Sequence, residues 1–113
     1  MKIIYNDIIP VKGFKAINLF GVLFVRNGFR MSDVELNHED IHTAQMKELL
    51  YVGFYLLYVL EWLCKLLVYW NGKKAYHAIS FEREAYWWQH RKNYLETRKH
   101  YQWASYIRYK TTY

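Results

Sequence analysis

A single cysteine and a single proline occur in the 113 residues of this chain, and glycine appears five times. One thiol cannot close an internal disulfide, so nothing in the sequence asks for an oxidising compartment. Cys64 lies in the most apolar stretch, where the expected role is that of a small buried hydrophobe. No repeat, low-complexity tract or linker is visible. The opening MKIIYNDIIPVKG lacks the unbroken apolar run and small-residue cleavage site of a signal peptide. The expected location is therefore cytoplasmic, with residues 49–70 as the segment through which the protein would associate with a membrane.

Aromatic and apolar residues are plentiful, at 20% and 53% of the chain, which excludes intrinsic disorder. The length suits one domain over residues 1–113, burying about 65% of its unfolded surface. The net charge of +6 is unevenly placed. Residues 1–72 hold seven Lys/Arg and seven Asp/Glu; residues 73–113 hold nine and three. The basic, Tyr- and Trp-rich tail (Arg91, Lys92, Arg98, Lys99, Arg108, Lys110) reads as a solvated helix surface, or else as a surface for anionic membrane or nucleic acid. Nucleic acid is not the expected partner.

Residues 2–9 and 14–26 are β-rich and separated by Pro10 and Gly13, so a short β-hairpin or two edge strands are expected, with 22–26 the better strand. Ser32-Asp33-Val34-Glu35 has the S-x-x-E form of a capping box, in which hydroxyl and carboxylate each satisfy a free backbone N–H at a helix start. A helix is expected from there through His42, continuing, bending or breaking near Gly53. Residues 49–70 are almost wholly apolar and long enough to span a bilayer, but Glu61 and Lys65 interrupt them, four apart and able to pair. The expectation is a core helix covered by helices in 81–107. Asn71-Gly72 reads as a helix stop, Ser80 as the cap of a helix over 81–92, and Asn93 with Glu96 as the cap of another reaching about residue 107. The fold class is α+β: an N-terminal hairpin followed by three or four packed helices.

His38-Glu39-Asp40-Ile41-His42 has the form H-E-x-x-H. On a helix, residues four apart share a face, so both imidazoles can point at one ion. Glu39 can then reach a metal-bound water and take its proton. A catalytic zinc usually has three protein ligands and an open position. The metzincin continuation would need Gly at 45 and His at 48, where the chain has Gln45 and Glu48, so the third ligand comes from elsewhere. The best source is Ser80-Phe81-Glu82-Arg83-Glu84-Ala85-Tyr86, in which Glu82 to Ala85 reads E-x-x-A.

At these residues the chain resembles the gluzincin zinc metallopeptidases, and small bacterial proteins with the pattern NHE-x-IH…FEREAY. The resemblance spans about residues 20–110 and implies a zincin-like helix, Zn2+ held by His38, His42 and Glu82, and Glu39 as catalytic base. The small Ala85, one turn after Glu82, would let the two helices approach closely. Glu84 points elsewhere on the helix and is the next choice. Relatives with E-x-x-A-D use the aspartate to support a ligand histidine; here Tyr86 takes that place and would polarise the imidazole less. An oxyanion-stabilising donor would come from Tyr76, His77 or His90, and a peptide substrate would add as a strand along 22–26. The function implied is a zinc-dependent hydrolase acting on peptide or protein. The rivals are a zinc-binding regulatory or assembly module without catalysis, and a basic aromatic surface binder. The sequence gives no oligomeric state.

Overall fold

The computed structural model describes residues 1–107 and has the α+β class: a three-stranded mixed sheet comes first and packed helices follow. Strands β1 (Lys2–Asn6), β2 (Ala16–Leu19) and β3 (Val22–Arg26) lie in the order β1-β3-β2. A hairpin is present, but it forms within 14–26 and not between the two expected β-rich runs. β2 and β3 pair antiparallel, with Leu19 opposite Val22, across the turn Phe20-Gly21. Both turn residues have positive φ, 54° and 87°, as in the primed turns whose twist suits a hairpin. Gly21 adopts this without a steric penalty. Phe20 is held there by its N–H, which donates to the Tyr55 hydroxyl at 3.0 Å, and by its ring edge-on to Tyr55. β1 adds parallel to β3, Ile4 opposite Phe24. The period-2 alternation of a strand puts Leu23 and Val25 of β3 fully inside.

The capping box closes as the sequence predicts. Glu35 N–H donates to Ser32 Oγ and Ser32 N–H to Glu35 Oε1, and α1 (Asp33–Glu48) begins there. Its buried residues, His38, Ile41, His42, Gln45 and Met46, fall at the spacing of one helix face. Asn18 fastens β2 to this helix by donating to the Glu39 carbonyl and the Thr43 hydroxyl, both at 3.0 Å. The break expected near Gly53 comes slightly earlier, where Leu50 and Tyr51 take positive φ. Then follow α2 (Val52–Tyr69), α3 (Gly72–Ala78), α4 (Ser80–Trp88), the single turn α5 (Tyr94–Thr97) and a 3-10 helix, Gln102–Tyr106.

α2 stops where Asn71-Gly72 predicts, with Trp70 in the left-handed conformation at its end, and Asn71 then starts α3, its side chain accepting from Lys74 N–H. Two other details of the helical half differ from expectation. Ser80 is not a cap: its N–H and hydroxyl both donate to the Glu61 carboxylate of α2, at 3.0 and 2.6 Å, and Ile79 precedes α4. The segment after Asn93 forms two short pieces, not one helix, and Asn93 makes no capping bond.

The core lies between α1, α4 and the inner side of α2. Met46, Phe54, Ile79, Phe81 and Trp103 form its larger part; Ile41, Ala85 and Tyr94 form a second cluster where α1 meets α4. The expectation that residues 49–70 are a covered core helix is not met. Of the 18 residues of α2, Phe54 alone is buried. Cys64, expected inside, is exposed. Glu61 and Lys65 do not pair: Glu61 is taken by Ser80, and Lys65 Nζ donates to the Ile107 carbonyl at 3.5 Å.

Candidate metal centre

The buried face of α1 presents His38 and His42 one turn apart, and α4 brings Glu82 to meet them. The three ligand atoms form a near-equilateral triangle. His38 Nε2 lies 3.1 Å from Glu82 Oε1, His42 Nε2 lies 3.0 Å from it, and the two Nε2 atoms are 3.1 Å apart. All three residues are buried, and they form a group that could hold one metal ion.

The far sides of the imidazoles decide what those atoms are. His42 Nδ1 lies 2.8 Å from Gln45 Oε1, and His38 Nδ1 lies 2.8 Å from Gln89 Oε1. The orientation of Gln45 is set by its other end, since Nε2 donates to the Phe81 carbonyl and to Glu84 Oε1, both at 3.0 Å. An amide oxygen accepts, so each Nδ1 donates. In the neutral ring Nε2 then carries a bare lone pair. Two bare nitrogens and a carboxylate oxygen converging at about 3 Å repel unless a cation lies among them. A proton or a metal ion meets that need. Burial opposes the charged form of His42, but the Glu82 carboxylate beside it prevails and pushes the imidazole pKa up to about 9. Burial likewise works against ionised Glu82, and His42 and His38 override it, holding the carboxyl well below its usual range. The second oxygen, Oε2, accepts the Tyr58 hydroxyl at 2.5 Å.

The residues fit a zinc-type ion. Two ligands of a tetrahedral zinc, each about 2.0–2.1 Å from it, lie about 3.3–3.5 Å apart, close to the separations here. Two imidazoles and one carboxylate are a donor set suited to zinc. Each imidazole already has its outer hydrogen bond in place, as ligating histidines do.

A cleft of about 320 Å³ opens beside the triangle, lined by Lys15, Ala16, Glu39, Tyr76, Tyr86 and Gln89 among others. Glu39, half-buried, stands at its wall next to His38. The Tyr86 ring packs edge-on against His38, centroids 4.5 Å apart, and its hydroxyl lies 3.2 Å from that of Tyr76. Burial raises the Tyr76 pKa, so its hydroxyl stays protonated. His77 packs against the Tyr86 ring at 5.0 Å but is not among the lining residues. His90 is exposed beyond the end of α4 and does not reach the cleft.

Glu84, the alternative ligand, is fully buried and turned away from the triangle. It accepts from Gln45, from the Tyr94 hydroxyl at 2.7 Å and from Arg98 Nε at 2.5 Å. Arg98 also makes a two-pronged pair with Glu48, at 3.0 and 2.8 Å. One cation of the basic tail is thus spent internally, while Arg108 and Lys110 lie outside the described residues. The central strand β3 has neighbours on both sides, so residues 22–26 offer no edge; the edge next to the cleft belongs to β2. Sequence reasoning missed Gln45, Gln89 and Tyr58. The one signal was spacing: Gln45 follows His42 by three residues, on the same helix face. No protein-family model, no curated protein and no solved structure matches this chain.

Proposed function

We propose that the protein is a zinc-dependent hydrolase acting on peptides. His38, His42 and Glu82 would hold the ion, and Glu39 would be the general base. The observation that carries this reading is the triangle of three converging ligand atoms, braced from behind by two amide oxygens and opening on a cleft that contains a carboxylate. Zinc, when bound, acidifies water and polarises a carbonyl. Glu39 takes the proton of the attacking water and returns it to the leaving nitrogen. Tyr76 and Tyr86 offer hydroxyl donors to the charge that develops on the carbonyl oxygen. An extended peptide pairs with the β2 edge, which ends at the cleft through Lys15 and Ala16.

Elemental analysis of wild type, Glu82→Ala and Glu39→Gln, together with cleavage of a mixed peptide library, tests both halves. One zinc per chain is expected in wild type and in Glu39→Gln, with loss in Glu82→Ala. Hydrolysis is expected to drop in Glu39→Gln by about 10²–10⁴-fold. Wild-type protein that takes up no zinc on reconstitution sinks the metal reading. Zinc uptake with no cleavage in any preparation sinks the hydrolase and leaves a metal-binding module.

A further inference from the structure

The helix α2 is amphipathic in the reverse sense. Tyr55, Tyr58, Glu61, Trp62 and Lys65, which include both its charges, face the protein or lie half-buried against it. All five of these side chains donate or accept within the fold: Tyr55 to the Asn18 carbonyl, Tyr58 to Glu82, Glu61 from Ser80, Trp62 Nε1 to the Gly72 carbonyl, and Lys65 to the Ile107 carbonyl. The outward face is aliphatic from end to end. Leu56, Leu60, Leu63 and Leu67 stand there 48–68% exposed, and no exposed residue between Val52 and Val68 is polar apart from the thiol of Cys64. Such a contiguous face on a water-soluble surface marks a docking site.

We infer that this face seats on a lipid bilayer, with α2 lying in the membrane plane. Three observations select that occupant. The face offers no hydrogen-bonding group beyond a thiol, whereas protein interfaces carry about one hydrogen bond per 100–200 Å²; hydrocarbon asks for none. Both ends of the helix are basic: Lys47 lies exposed just before it, and Lys73 and Lys74 lie exposed just after it beside Trp70, which is 80% exposed. Lysines and a tryptophan at the rim suit an anionic headgroup layer. A second copy is disfavoured by the same charges, since α2 packed on α2 in either direction sets lysine against lysine. By length and composition α2 is also the one helix among the described residues able to cross a membrane. The in-plane pose is selected by its inner side. Glu61 and Lys65 lie half-buried there, away from the helix ends, and α1, packed on that side, carries the half-buried Asp40; a crossing pose would carry these charges into hydrocarbon.

Cys64, the chain's sole thiol, lies on this face and supplies the probe. Full-length wild-type protein labelled there with an environment-sensitive fluorophore is mixed with vesicles of phosphatidylcholine containing phosphatidylglycerol. A blue shift with a several-fold rise in emission is expected, weakened by salt and by omission of phosphatidylglycerol. Quenching should be stronger from spin labels near the headgroup than from labels at the chain ends. Leu60→Glu/Leu67→Glu, checked for native circular dichroism, should partition at least about tenfold less well. Emission unchanged by vesicles overturns the inference. So does a label already shielded in a vesicle-free dimer seen by sedimentation velocity. Stronger quenching from chain-end labels overturns the in-plane pose. None of these readouts depends on metal or hydrolysis.

Discussion

The amide of Gln45 joins the His38, His42 and Glu82 triangle to the buried carboxylate of Glu84. Its oxygen fixes the His42 tautomer, and its NH2 group reaches Glu84 and the carbonyl of Phe81. Removing it frees His42 to rotate and leaves buried acceptors short of a donor. Gln89 does the simpler half of this task for His38. If the triangle holds zinc as proposed, Gln45→Ala and Gln89→Ala should each weaken its binding about 10–100-fold, measured by competition with a chelator. Gln45→Ala should also lower thermal stability, whereas Gln89, half-buried, should cost little. The candidate metal site was legible in sequence because H-E-x-x-H and E-x-x-A have spacings that one helix face enforces. Gln45 and Gln89 were not, since an amide that braces an imidazole has no pattern of its own. The partner of Gln89 is 51 residues away along the chain. The glutamine that stands where the metzincin pattern needs glycine is the one that braces the second histidine.

At the scale of elements, α1 was the best-read part of the chain. Its start was written in Ser32 and Glu35, and its buried stripe in the spacing from His38 to Met46. Ser32→Ala removes the hydroxyl of the capping box and should cost about 1 kcal/mol, read as a shift in the urea midpoint with metal binding retained. The hairpin was harder to read, because a phenylalanine occupies a turn position usually given to Asn, Asp or Gly. What holds it is the Tyr55 hydroxyl, 35 residues on, a tertiary bond invisible to local propensity. Ser80 misled for a related reason. It has the chemistry of a cap, but Glu61 reaches it first and turns it into a tie between α2 and α4. The apolar run of α2 was plain in sequence, but which face the fold would cover was not, since polar and apolar sides are set by which neighbours arrive.

At the scale of the whole molecule, Arg98 ties the last described stretch to α1 and α4 through Glu48 and Glu84, with all three side chains at most 6% exposed. Arg98→Ala leaves two carboxylates buried without their cation and should cost about 3–5 kcal/mol, seen in denaturant unfolding. The same group sets an acid limit. Burial opposes ionisation of Glu48, and Arg98 outweighs it, so its pKa in the folded protein lies below its ordinary value of 4.5. A depressed acid adds stability that is complete above the unfolded value and is lost as pH falls through the folded one. Wild-type stability should therefore hold from neutral pH down to about 5 and decline below about 4.5, whereas Arg98→Ala, already weakened, should show a smaller relative loss over that range. Urea titrations across this range check both curves.

The sequence separation of the triangle has a further consequence. His38 and Glu82 stand 44 residues apart in the chain, with all of α2 and α3 between them. In the unfolded chain Glu82 is far from the two histidines and the three cannot share an ion, so most of the free energy released on binding goes to the folded state. An ion held there acts as a removable staple across that long loop. At a free metal concentration 1,000 times the dissociation constant, such linkage is worth about 4 kcal/mol. That is a large part of the stability of a domain this size, so the folded population would follow the supply of metal.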